Sequence, residues 1–317
     1  MSGNRNIIFM GTPQFAVASL KKIHEGGFEV KAVVCPPDRP AGRGHKLQSC
    51  DVKKYAQSQN LKILQPEKLK EPNFLAELKS IEADLFVVVA FRMLPKEVWS
   101  LPKYGTFNIH ASLLPDYRGA APINWAVING ESKTGVTSFL IDEQIDTGAI
   151  LLSKTCEINQ NEDVGEVHDK LMYIGADLAL ETCKAIFEES IQPTKQKDPP
   201  THKSAPKLFK NNCRIDWSKS TIEIYNHIRG LSPYPVAWTE FLTSNDERVS
   251  VKIFKSTFSL ESSGKEIGEI ECHKKGLTIY TKDGAIQLLE IQIPGKKKME
   301  ISAFLNGIDP SKYISAS

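Results

Sequence analysis

The sequence predicts an α/β protein with a doubly wound, Rossmann-like and mostly parallel sheet, followed by a small C-terminal β-barrel of OB-like character. Three observations carry this. Short apolar runs alternate with helical stretches through the first half, the pattern of right-handed βαβ units. Residues 190–206 then interrupt every periodicity. Beyond them come short alternating segments bounded by glycines and charged turns, as small barrels have.

Residues 6–11 (NIIFMG) are an apolar run closed by glycine, which reads as a buried strand entering a tight turn. Phe15 to His24 reads as a helix, Val30 to Cys35 as a second strand and Leu61 to Leu64 as a short third. Asp84 to Ala90 is uninterrupted and β-branched, typical of a central strand covered on both faces. Thr106 to His110 reads as a short strand, with a turn at Ser112 to Pro115 and a helix around Ala121 to Ile128. Ser138 to Gly148 is an apolar strand running into Asp142 and Asp146, and Val164 to Met172 looks helical.

Residues 1–189 are therefore expected to form a first domain. The stretch 190–206 holds four prolines, several lysines and almost no large apolar group. It reads as an extended linker, because it offers little to bury. Residues 207–317 form a second domain, with strands expected at Val249–Phe254, Glu266–Glu271, Gly276–Tyr280 and Ala285–Ile291.

The chain of 317 residues is 41% hydrophobic and 25% charged, enough to fill two cores of ordinary size. A net charge of only +2 provides no global field, so a nucleic-acid partner must be met by local basic patches. Ile7 to Met10 is too short for a signal-peptide core, and no later run approaches the roughly 18 apolar residues of a membrane span. The six cysteines are scattered without a CxxC pair; they read as reduced thiols of a cytoplasmic protein without a membrane partner. The histidines show no ligand spacing, so no metal is expected. Neither a G-x-G-x-x-G turn nor a P-loop lysine motif is present.

Ligands of open α/β sheets bind beyond the carboxyl ends of the strands. Asn108 and His110 lie there, two residues apart and so on one face, and Asp146 follows the second strand-like segment. An imidazole can relay protons at neutral pH. A carboxylate can hold its tautomer and stabilise the imidazolium. A carboxamide can donate to an oxyanion. Together they suit transfer of an acyl-type group to an amine, with the amine attacking directly. Equally, a strand-end histidine can be structural and Asp146 can cap a turn.

These segments resemble the folate-dependent formyltransferases. The shared pattern is N-x-H, S-L-L-P and D-T-G, here Asn108 and His110, then Ser112-Leu113-Leu114-Pro115, then Asp146-Thr147-Gly148. The opening Phe9-Met10-Gly11-Thr12-Pro13-Gln14-Phe15-Ala16 and the loop from Pro37 to Leu47 are similar to the branch that formylates methionyl-tRNA. So are Arg118 to Ile123, Arg214-Ile215-Asp216-Trp217, Pro233-Tyr234-Pro235 and Gly295-Lys296-Lys297. The resemblance covers nearly the whole chain. One departure is Phe91-Arg92-Met93-Leu94-Pro95, one residue shorter than usual and with arginine in place of glycine, in a loop that borders the pterin in relatives.

The resemblance implies 10-formyltetrahydrofolate as co-substrate and methionyl-initiator tRNA as partner, with the chain acting as a monomer. Asn108, His110 and Asp146 would be catalytic, and Ser112, Leu113, Leu114 and Pro115 would line the folate site. Arg39, Arg43, Lys46, Lys296, Lys297 and Lys298 would contact tRNA. A sugar-nucleotide N-formyltransferase is the main alternative, since it shares the three motifs.

Overall fold

The computed structural model of the chain describes residues 5–41, 46–197, 202–273, 276–307 and 312–317. The elements run β1 (Asn6–Gly11), α1 (Gln14–Glu25), β2 (Glu29–Val34), β3 (Arg39–Ala41), β4 (Lys46–Gln48), α2 (Asp51–Ser58), β5 (Ile63–Leu64) and α3 (Pro72–Ser80). Next come β6 (Leu85–Val89), α4 (Lys96–Trp99), β7 (Thr106–His110), β8 (Arg118–Gly119), α5 (Pro122–Ile128), β9 (Lys133–Leu140), β10 (Ile150–Glu157) and α6 (Val164–Phe187). The remainder is β11 (Ser204–Ala205), α7 (Thr221–Leu231), β12 (Ala237–Thr243), β13 (Arg248–Ser259), β14 (Ile270–His273), β15 (Gly276–Thr281), β16 (Gly284–Gln292), β17 (Met299–Glu300), α8 (Ile301–Asn306) and β18 (Tyr313–Ala316). Among the described residues, no helix is long and apolar enough to cross a membrane.

Internal contacts divide the chain into two units. The first comprises Met1–Gly119, Thr134–Cys156 and Asp169–Ser204; the second comprises Ala120–Lys133, Glu157–His168 and Ala205–Ser317. The sheet of the first unit has the order β10-β9-β7-β6-β1-β2-β5. β7, β6, β1, β2 and β5 are parallel, and β9 runs antiparallel to β7. Consecutive residues of β1 are all fully buried, Ile7 and Phe9 on one face and Ile8 and Met10 on the other, as a strand covered on both sides requires. On one of these faces Ile8, Met10, Val34 and Phe86 pack with Phe74 and Leu78 of α3 and Val98 of α4. This is the doubly wound class that the sequence predicts.

The second unit is built on the antiparallel order β14-β15-β16-β13-β12-β18, with β17 added to β16. Its ends nearly close on each other. Glu269 bridges Ser315, and the Ala316 N–H donates to the Gly268 carbonyl at 2.8 Å. A side chain at Gly268 would place its Cβ 2.5 Å from the Ala316 carbonyl oxygen, and the residue has φ +82, so glycine is required there. Register shifts between Ile253 and Ser256 bend β13, a common device for curving a barrel. Helix α7 lays Ile224, Tyr225, Ile228 and Leu231 on the barrel residues Val251, Ile253, Leu277 and Ile286. Asn124 of α5 reaches the same helix, donating to the Gly230 carbonyl at 2.9 Å, which is why residues 120–133 belong with the barrel.

The stretch between the two runs of strands carries more structure than its composition suggests. Thr194 and Ile150 exchange backbone hydrogen bonds of 2.8 Å, and Gln196 is buried. Polar burial of this kind leaves no hydrophobic signature to read.

Candidate active site

The chain leaves β1 toward β2 and β5 on one side, then crosses to β6 and β7 on the other. The order therefore reverses between β1 and β6, and the crevice beyond their carboxyl ends is where such a sheet takes a ligand. Strand β7, beside β6, delivers Asn108 opposite Val88 and Phe139, and His110 opposite Thr137. The half-buried Asn108 amide has no hydrogen-bond partner among the described residues.

The His110 imidazole is buried. Its Nε2 lies 2.9 Å from the Tyr117 carbonyl oxygen. A carbonyl only accepts, so Nε2 carries the hydrogen and Nδ1 is the basic nitrogen. Nδ1 faces Asp146 Oδ2 at 3.7 Å. The sequence reading gives the choice of tautomer to the carboxylate; in the structure a backbone carbonyl makes it, and the carboxylate is left to meet the protonated ring. Phe139 packs edge-on to the imidazole with centroids 6.4 Å apart.

Asp146 is held from several directions. Its Oδ2 accepts the Gly119 N–H at 2.9 Å. Its backbone sits at φ +56, and Tyr117 and Ala90 beside the site have φ +61 and +47, conformations that persist in non-glycine residues only where the surroundings impose them. Asp142 shapes the same turn by accepting from the Gln144 N–H at 3.1 Å and Thr147 Oγ1 at 2.8 Å. Gly148 is glycine because a Cβ there would meet the Leu140 carbonyl oxygen at 1.6 Å.

The Ser112–Pro115 turn is pinned by a buried threonine. Thr137 Oγ1 donates to the Ser112 carbonyl at 2.7 Å and accepts the Leu114 N–H at 3.2 Å. Ser112 Oγ donates to the Asp116 carbonyl at 2.7 Å. The unusual Arg92 turns back on its own unit, donating to the carbonyls of Glu67 at 2.8 Å and Pro66 at 2.5 Å. Burial, and after it the charge of Arg39, holds its guanidinium below the ordinary arginine value.

The basic residues fare differently. Arg39 is exposed at the start of β3, which pairs antiparallel with β4, whereas Arg43 and the Lys46 side chain lie outside the described residues. Lys296 and Lys297 are exposed. Lys298 donates to Glu290 at 2.6 Å and lies over the Phe254 ring. Tyr117, Thr137 and Gln196 were not singled out from the sequence; Gly119 sits inside the quoted Arg118 to Ile123 motif, whereas Thr137 and Gln196, the latter in a stretch that reads as linker, fall in none.

The chain matches the family model for formyl transferase over residues 5–182 and that for the formyl transferase C-terminal domain over residues 207–309. It is 52% identical to the methionyl-tRNA formyltransferase of Flavobacterium johnsoniae over 302 residues, covering 95% of this chain and 96% of that one. It belongs to the methionyl-tRNA formyltransferase family. A second member, from Bacteroides thetaiotaomicron, is 48% identical over 95% of each chain. Among solved structures, the N-formyltransferase of Helicobacter canadensis superposes with a TM-score of 0.67 at 24% identity, over 89% of this chain and 97% of that one. That protein was crystallised with folinic acid and dTDP-3-aminofucose. HypX of Aquifex aeolicus, in complex with tetrahydrofolic acid, gives a TM-score of 0.64 at 20% identity over 96% of this chain and 47% of that one. At these identities the two structures establish the shared fold.

Proposed function

We propose that this member of the family transfers the formyl group of 10-formyltetrahydrofolate to the α-amino group of methionyl-initiator tRNA, in the cytosol. The observation that carries the reading is the meeting of His110 Nδ1 and Asp146 Oδ2 at 3.7 Å, two residues along the strand from Asn108, in a chain aligned over 95% of its length with methionyl-tRNA formyltransferases.

The amine attacks the formyl carbon directly and a tetrahedral intermediate forms. Asn108 donates its amide N–H to the oxyanion, a group worth on the order of 10²–10³ in rate at comparable sites. The proton released by the amine goes to His110 Nδ1, because Nε2 is already committed to Tyr117. Asp146, still anionic and held by the Gly119 N–H, stabilises the imidazolium. The ring then returns its proton to the departing folate nitrogen. The burial of the His110 ring strengthens its interaction with the Asp146 carboxylate. Ser112 to Pro115 line the folate, residues 1–189 carry the chemistry and residues 207–317 add tRNA contacts.

The test is an acceptor comparison. Purified protein is given 10-formyltetrahydrofolate with methionyl-initiator tRNA, with an amino-sugar nucleotide, or with water alone. Formyl transfer to the tRNA is expected. Transfer confined to the amino sugar, or release of formate without an acceptor, would overturn the assignment.

A further inference from the structure

Gln196 lies in the proline-rich stretch after α6, yet it is only 7% exposed. Its side-chain amide is fully committed. Nε2 donates to the carbonyls of Asp146 at 2.9 Å and Gly148 at 2.8 Å. Oε1 accepts from Arg118 Nη2 at 2.7 Å and Nε at 3.2 Å. A carboxamide has two N–H donors and two acceptor lone pairs, so nothing is left over for a substrate. The two segments it joins are the ones that set the catalytic geometry. Tyr117 fixes the His110 tautomer and Gly119 holds the Asp146 carboxylate, on either side of Arg118. Asp146, at the start of the turn Asp146–Gly148, sits in the left-handed region with φ +56, uncommon for a non-glycine residue.

We infer that Gln196 is a positioning residue that acts through Asp146, fastening the aspartate turn to residues 117–119 so that the carboxylate stays in register with His110. The inference rests on the reading of Asp146 as part of the catalytic set. The amide is matched to the task because the turn presents acceptors while Arg118 presents donors. Of the neutral side chains of this length, only glutamine meets both with one rigid plane. Glutamate keeps the arginine contact but turns a second acceptor on the two carbonyls. Methionine fills the space and makes neither set of bonds.

The experiment is a double-mutant cycle on the full-length enzyme: wild type, Gln196→Met, Asp146→Ala and the double variant, assayed with 10-formyltetrahydrofolate and methionyl-tRNA. Asp146→Ala backgrounds are read under single-turnover conditions. Gln196→Met is expected to lower kcat on the order of tenfold to a hundredfold, the cost of misplacing a catalytic group by about 1 Å. KM for both substrates should stay within about twofold. In the Asp146→Ala background the same change should cost nothing further, because coupled residues are not additive. Equal losses in both backgrounds, or wild-type turnover by Gln196→Met, would overturn the inference while leaving Asp146 catalytic. Wild-type turnover by Asp146→Ala would instead remove the catalytic assignment, and the inference with it. Should Gln196→Met fail to fold, Gln196→Glu goes through the same cycle, with the same kcat-only loss expected and the same outcomes counting against it.

Discussion

Asn108 and His110 share a strand face but have opposite demands. The imidazole is buried against Tyr117 and Phe139, whereas the Asn108 amide is partly open and unpartnered among the described residues. An amide so placed can donate to a developing oxyanion; a carboxylate there would only accept and would repel it. Asn108→Asp is therefore expected to be slower than Asn108→Ala, which merely omits the donor. Single-turnover rates that rank the Asp variant above the Ala variant would contradict the oxyanion role. A second titratable residue matters for stability. Burial pushes His227, on α7, down to about 4, against the opposing backbone hydrogen bonds at Cys213 and Arg214; its Nε2 is buried without a partner among the described residues. The unfolded chain takes up this proton near pH 6.5 and the folded chain does not until about pH 4. Stability from this group is thus flat above pH 6.5 and falls with pH below it, by an amount on the order of 3 kcal/mol at pH 4. Urea unfolding of His227→Gln should lose that part of the wild-type slope between pH 6.5 and 4. Parallel pH profiles for the two proteins would refute it.

Elements were legible in the sequence in proportion to how cleanly one period dominated them. β1 and β7 begin and end where the sequence reading places them, at Asn6 and Gly11 and at Thr106 and His110. Strand β12 escaped because both its faces mix polar with apolar groups: Thr239 and Thr243 are buried beside Phe241, and Trp238 and Leu242 are half-exposed beside Glu240. Strand β18 has only four residues, and its partner Phe241 lies far back in the chain. Helix α7 is rich in β-branched and aromatic residues, which lowers its propensity. Its capping box, Ser220 with Glu223, was a usable start signal. The aspartate turn was visible as D-T-G, but its reason is a backbone approach that no sequence shows. A Cβ on residue 148 would lie 1.6 Å from the Leu140 carbonyl oxygen. Gly148→Ala should destabilise the protein by at least the roughly 1–3 kcal/mol of an overpacked site, and whatever folds should lose turnover as Asp146 shifts. A variant with wild-type melting temperature and kcat would show that the turn is not constrained as described.

For the whole molecule, the near-neutral net charge of +2 offers a nucleic acid no global field, so under the proposed function tRNA affinity rests on local cations. The candidates differ in what their ammonium groups are already doing. Lys298 is engaged by Glu290 at 2.6 Å and its ammonium lies over the Phe254 ring, so a phosphate would have to displace an existing partner. Lys296 and Lys297 are exposed on the turn between β16 and β17 and can meet phosphates at little desolvation cost. Each phosphate neutralised releases about one condensed counterion, which sets the slope of log affinity against log salt. Replacing Lys296 and Lys297 together with alanine should therefore flatten that slope by about two, raise the KM for methionyl-tRNA and leave the KM for 10-formyltetrahydrofolate unchanged. Lys298→Ala should flatten the slope by less than one. Titrating tRNA binding across a series of salt concentrations separates the cases. An unchanged slope in the double variant would identify Lys296 and Lys297 as solvated surface and send the search for the second unit's phosphate contacts elsewhere. A larger change for Lys298 than for its neighbours would mean that the Glu290 pair opens to admit the phosphate.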